Sequence, residues 1–318
     1  MSHFLGDLWV KTSYLYIQDL TVTNRILTQI DCFSSIDWSA PWLANYKALG
    51  QTVLSTRYML TAKGEIDRSK NNILVNALNA NKGTLSFDFL DQNELEERFT
   101  YESFIDQSNC IPTRENVHDF FNGLSWIQYP GIKKAMLAEQ AAALRANQNV
   151  DQGFEMNDMR NLSNLSNLPN QFNTLKTPNT TNTINARGAV RDALTVFDEN
   201  GILLQADQRI WDALERKDWS ALFIKHRKLW ESAVVWIFGH ALLEKLIKPR
   251  ASITGHVLCL KIPLELGAEE IDSWVAQRFN QLSWSNKPFT PMQVLGVPGW
   301  WCENESPTFY DNPKVFRS

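Results

Sequence analysis

Histidine ligates metals and moves protons near neutral pH, and the chain has five of them. His3 is terminal, and His226 sits in a basic run with Lys225, Arg227 and Lys228. His118, His240 and His256 remain as carriers of chemistry. His118 is followed by Asp119, with Asn122 one helical turn away. His240 follows an apolar run and a glycine, and Glu244 lies one turn further on. A helix N-terminus at that point disfavours the imidazolium and keeps the ring neutral. The expected catalytic residues are therefore His118, Asp119, Asp192 and His240. The expected ligands of a divalent metal are His118, Asp119, His240 and Glu244. Arg114, Arg187, Arg191 and Arg250, if they converge, supply an anion site, to which Asn122 and Trp126 add a polar and an aromatic wall. His256 alternates with Val257 on a strand pattern and reads as a half-buried residue.

The elements that must position these groups follow from periodicity. In residues 112–130, Val117, Phe120, Phe121, Leu124 and Ile127 fall on one side of a 3.6-residue wheel. This predicts an amphipathic helix with Thr113 as N-cap, stopped by Pro130-Gly131. Arg114, His118, Asp119, Asn122, Ser125 and Trp126 lie on its other side, where Trp126 needs a segment or a ligand over it. A second helix is expected over Lys133–Gln148, and a short one over Leu43–Leu49 that ends at Gly50. Val190–Asp198, the Asn200-Gly201 turn and Ile202–Gln205 read as a β-hairpin. Ala233–Phe238 reads as a buried strand leading into a helix from His240, and Thr254–Ile262 as a further strand. Pro288–Arg317 reads as an extended aromatic tail. The fold class is α/β or α+β, helix-rich with a small mixed sheet mainly in the C-terminal half.

Composition narrows the class. At 318 residues with 44% hydrophobic and 21% charged side chains, the chain fits one large globular domain. Segment 1–35 has no clean period. Segment 149–185 is dominated by Asn, Thr, Ser and Pro and is expected to be a disordered insert. A net charge of -4 argues against nucleic acid as the main partner. No apolar run is long enough to span a bilayer, and no signal-peptide pattern opens the chain. Four widely spaced cysteines without a Cys-x-x-Cys pair fit a reducing cytoplasm. No Gly-rich phosphate loop, dinucleotide fingerprint, His-Glu-x-x-His or Gly-x-Ser-x-Gly is present, which weakens kinase, Rossmann, zincin and α/β-hydrolase readings.

Six segments carry a family likeness. They are IDWSAPWL at 36–43, PTRENVHDFFNGLSW at 112–126, RDALTVFDENG at 191–201, FGHALLEKL at 238–246, VLGVPGWW at 294–301 and FYDNPKVFR at 309–317. Together they resemble the bacterial domain-of-unknown-function family three thousand and twenty-five. The resemblance covers nearly the whole chain except its N-terminus and the insert. It implies a soluble bacterial protein built around one such domain, and it implies no activity.

Two functions are compatible with these residues. One is a metal- or His/Asp-dependent hydrolase of an anionic substrate. His-Asp phosphohydrolases invite comparison, but they are all-helical, and here the second histidine follows a strand. The alternative is a non-catalytic binding or adaptor protein that uses a Trp- and Pro-rich surface including Trp126. The discriminating observation is whether the His118 and His240 rings meet beside a carboxylate in a pocket.

Overall fold

A computed structural model describes residues 33–62, 72–96, 98–145 and 180–317. Most of segment 1–35 and of the insert 149–185 lies outside the described residues. The fold is α+β, with two small sheets among many helices. Helices α1 (Lys47–Ala62) and α2 (Ile73–Asn81) precede strand β1 (Asp88–Asp91). Helix α3 (Tyr101–Ser108) crosses over to β2 (Cys110–Thr113), which pairs in parallel with β1. Then come α4 (Val117–Gln128), a helix α5 at 130–145, and α6 (Thr180–Asn200). The C-terminal half adds β3 (Gly201–Gln205), α7 (Gln208–Glu215), β4 (Val234–Ile237), α8 (His240–Lys245), β5 (Thr254–Leu258), α9 (Ile271–Ala276) and β6 (Phe289–Gln293). Its sheet has the order β4-β3-β5-β6, with β3 and β5 parallel and the outer pairs antiparallel. No helix among the described residues is long and apolar enough to cross a membrane.

Helix α4 lies at the centre. Phe120, Phe121 and Leu124 are fully buried, as the wheel requires. The opposite side is buried as well: Asp119, Asn122, Ser125 and Trp126 are all covered. Its N-cap is Asn116, whose side chain accepts from the Asp119 N–H at 2.7 Å, whereas Thr113 belongs to β2. The helix stops at Gln128, and α5 begins at once, its first free N–H groups at Gly131 and Ile132 donating to the Asp272 carboxylate of α9 at 2.8 Å each. Ser125 and Tyr46 donate to the carbonyls of Phe238 and Ile237, both at 3.1 Å. These bonds fasten the end of β4 to α4, and therefore fix the start of α8.

Three sequence expectations give way. No hairpin precedes β3; helix α6 runs straight into the strand. Val190, Ala193, Leu194 and Phe197 have helical spacing, the last three are fully buried, and Gly201 does not take the positive φ that a primed turn demands. Pro288–Arg317 is not simply a tail, since Phe289–Gln293 forms the edge strand β6. Gly50 does not end a helix but sits inside α1, where a Cβ would fall 2.0 Å from the Trp38 ring. Gly50→Ala is therefore expected to destabilise the protein by about 1–3 kcal/mol through overpacking, against the gain of up to about 1 kcal/mol that alanine brings to an open helix site. Urea denaturation with an unchanged or raised midpoint would show that Trp38 is free to move aside.

Candidate functional site

Arg114, His118, Asp119, Asn122 and His240 line one cavity of about 390 Å³, and Asp198 joins them. The two imidazoles come from α4 and α8, which pack against each other. Their rings meet edge to face, with Nε2 of His240 3.0 Å from Nε2 of His118. On its far side, Nδ1 of His118 lies 2.8 Å from Oε2 of Glu244, one turn along α8 from His240. The side chain of His118 is 32% exposed, whereas His240 is only 6% exposed. Gly239 makes this corner: a Cβ there would stand 2.4 Å from the Glu199 carbonyl oxygen and 2.5 Å from the Asn200 nitrogen. Only a glycine lets the α8 start press against the end of α6, and that contact sets His240 beside Asp198, whose Oδ1 is 4.0 Å from the His240 Nδ1.

Asp198 is also ion-paired with Lys133 of α5, which is 3% exposed. The Lys133 ammonium donates to Asn122 Oδ1 at 2.9 Å, and Asn122 Nδ2 donates to the Tyr101 hydroxyl at 2.9 Å. Burial opposes ionisation of Asp198, but Lys133 and the neighbouring imidazoles outweigh it and hold the carboxyl below its ordinary value. Burial raises the Tyr101 hydroxyl well above its usual range, with the Asp198 charge acting in the same direction, so Tyr101 keeps its proton. Burial pushes His240 down from 6.5 to about 4, against the charge and the backbone carbonyl of Asp198, with Lys133 and His118 lowering it further. The ring is neutral at pH 7. Burial, rather than the helix terminus expected from sequence, is the main cause.

The carboxylate of Glu244 fixes the polarity of the chain. A carboxylate only accepts, so Nδ1 of His118 carries the proton. In the neutral pair Nε2 of His118 is then an acceptor, Nε2 of His240 is the donor that fills it, and Nδ1 of His240 is left as a lone pair. That nitrogen is buried and has no hydrogen-bond partner among the described residues. The polar groups that face it are both from Asp198, the carboxylate at 4.0 Å and the backbone carbonyl.

Other sequence candidates are already engaged or lie elsewhere. Asp119 is held by Arg114, at 3.0 Å to Nε and 2.9 Å to Nη2, and accepts from the Arg114 backbone N–H. Asp192 is exposed on α6 and outside the cavity lining. Asp198, six residues on, occupies the place it was expected to fill. Arg191 and Arg250 do not line the cavity and so do not join Arg114 there; the Arg187 side chain lies outside the described residues. Trp126 is 4% exposed, packed on Phe87 at 5.0 Å and beneath Lys133 at 5.5 Å. It is therefore unavailable to a ligand or a partner. His118, Asp119, His240 and Glu244 share no coordination point, and no group of three or more His, Cys, Asp or Glu among the described residues is placed to hold a metal ion. Glu244 lies on the outer nitrogen of His118, and Asp119 is taken by Arg114.

Comparison with family models decides the relationship. The chain belongs to the family described as "Protein of unknown function (DUF3025)", matched over residues 87–162 and 167–318. The match spans Tyr101, His118, Lys133, Asp198, His240 and Glu244, so the whole network lies inside the DUF3025 region. No curated protein and no solved structure matches the chain.

The depressed His240 has a thermodynamic consequence. Between pH 6.5 and about 4 the unfolded chain binds a proton at this ring that the folded one refuses. Its contribution is complete above pH 6.5, shrinks as the pH falls, and is exhausted near pH 4. The amount is on the order of 3 kcal/mol. Denaturant unfolding between pH 7 and pH 4 should show this loss, and a folded His240→Asn variant should have a flatter profile over the same window. Equal slopes in the two proteins would mean that the ring is not buried neutral.

Proposed function

We propose that the protein is a hydrolase whose acid–base device is the chain Glu244–His118–His240. The single observation that supports this is the Nε2–Nε2 contact at 3.0 Å, with a carboxylate on the outer ring and an unpartnered Nδ1 on the inner one. A water molecule beside the His240 Nδ1 and Asp198 gives its proton to Nδ1 as its oxygen bonds to an acyl or phosphoryl centre. A buried imidazolium at His240 is unfavourable, but the ring need not keep the charge. As Nδ1 gains a proton, the proton on Nε2 crosses to His118. The positive charge then rests on the half-exposed ring beside Glu244, where solvent and a carboxylate both favour it. When the bond to the leaving group breaks, the proton returns along the same path to the departing oxygen or nitrogen. Tyr101 accepts from Asn122 and retains its own proton, which it directs at the oxyanion that forms.

Lys133 and Asp119 are positioning residues in this reading: the first holds Asp198 ionised, the second anchors Arg114 at the wall. We place the protein in the cytoplasm, in keeping with unpaired thiols at Cys110, Cys259 and Cys302. The test is turnover of nitrophenyl ester, anilide and nitrophenyl phosphate substrates by the purified protein. His240→Ala and His118→Ala, each checked for folding by circular dichroism, are expected to lower kcat/KM by roughly 100- to 10,000-fold. Glu244→Gln should cost less and should alter the pH profile, because an amide can donate to Nδ1 and so invert the tautomers. Undiminished turnover by folded His240→Ala would exclude the relay, and no turnover of any substrate by the native protein would leave the binding-protein alternative in its place.

A further inference from the structure

We infer that the ligand of this cavity carries an uncharged carboxamide or ureide group, read by the side chain of Gln140. The inference rests on the hydrolase reading only for which bond is cut; binding is independent of it. Gln140 follows Lys133 by seven residues on α5, two helical turns, and so stands on the same face of that helix. The Lys133 ammonium is fully engaged by Asp198 and Asn122. Gln140 is only 9% exposed, yet its amide makes no hydrogen bond to any of the described residues. Neither amide atom is among the side-chain atoms sealed away without a partner. The amide is therefore open, and the space that Gln140 lines is the cavity that also holds His118 and His240.

A carboxamide covered this deeply is as a rule hydrogen-bonded by its own protein. Left open into a cavity, it holds water until a ligand replaces that water. Its chemistry selects the ligand. The amide presents an acceptor oxygen and an NH2 donor side by side in one plane. A group that fills both at once has a C=O and an N–H on a single edge, as a primary carboxamide or a ureide does. An ammonium fills the oxygen alone. A carboxylate or phosphate fills the NH2 alone, and it does so in a cavity already lined by the ionised Asp198. A hydroxyl has one atom to offer and cannot pair with both in the same plane. Under the hydrolase reading the substrate is a small ester or amide that bears a second, uncut carboxamide or ureide, of a size that suits a cavity of about 390 Å³.

Three four-carbon probes test this at matched ionic strength: succinamide, succinate and butane-1,4-diol. Binding is read by magnetic-resonance titration of the His118 and His240 rings and of the Gln140 side-chain amide, whose signal is identified by its loss in Gln140→Glu. Succinamide is expected to bind and to move the Gln140 amide together with the rings. Succinate and the diol are expected to bind at least about tenfold more weakly. Gln140→Leu should weaken succinamide at least about tenfold. Its melting temperature should be unchanged or raised, because the substitution deprives no protein group of a partner. That second measurement separates an amide kept for a ligand from one that holds the fold. A folded His240→Ala variant should still bind succinamide while losing any turnover, so that failure of this inference and failure of the hydrolase reading give different results. The inference is overturned if succinamide does not bind the native protein, if succinate or the diol binds as well as succinamide, if Gln140→Leu binds it undiminished, or if Gln140→Leu melts clearly lower.

Discussion

A helix buried on every side cannot leave its polar groups to water, and α4 is such a helix. Each polar side chain it carries must find a partner on another element. Asp119 finds Arg114 at the end of β2, Asn122 finds Lys133 on α5 and Tyr101 on α3, and Ser125 finds the Phe238 carbonyl after β4. These bonds leave little freedom in where the surrounding elements sit. His118 alone on this face points to the partly exposed rim, and its partners are the first two acid–base residues of α8.

The charges in this interior are arranged in compensated steps. Lys133 and Asp198 form a buried ion pair, a kind of contact whose desolvation cost cancels much of its attraction. Here the pair also has a local electrostatic effect: the ammonium keeps Asp198 ionised, and the same positive charge works with burial to keep His240 neutral. A neutral inner ring against a half-exposed outer ring with its own carboxylate gives a gradient. In the proposed relay a proton enters at the buried nitrogen, and the charge emerges where it is best solvated.

His118 and His240 were readable because each is a polar group at the boundary of a strongly apolar element, and such groups cluster when elements pack. The α+β class was readable from the strand and helix alternation after Gly201. Asp198 was not, because Asn200-Gly201 is so strong a turn signal that it masks the helical spacing of Val190, Ala193, Leu194 and Phe197. Lys133 was hidden for another reason: in an Ala- and Gln-rich helix a lysine looks like surface, and only the tertiary fold turns it inward. A helical wheel assigns one face to the core, so it says only that Trp126 needs a cover, and the fold supplies Phe87 and Lys133 rather than a ligand. Arginine positions in a sequence carry no information about convergence, and Arg191 and Arg250 stay apart from the cavity.

The two rings of the pair are 122 residues apart in the chain, and His118 is 126 residues from Glu244. Lys133 and Asp198 are separated by 65. Contacts of such range close large loops, and they form only after the local structure on both sides exists. A chain still emerging from synthesis, or one in which the four-stranded sheet has yet to dock on α4, holds the same histidines with nothing to fix their tautomers. The histidine pair is thus a late product of assembly. If the proposed relay operates, a partly folded molecule is chemically silent rather than indiscriminate, and the geometry of the pair serves as its own check that both halves of the chain have found each other.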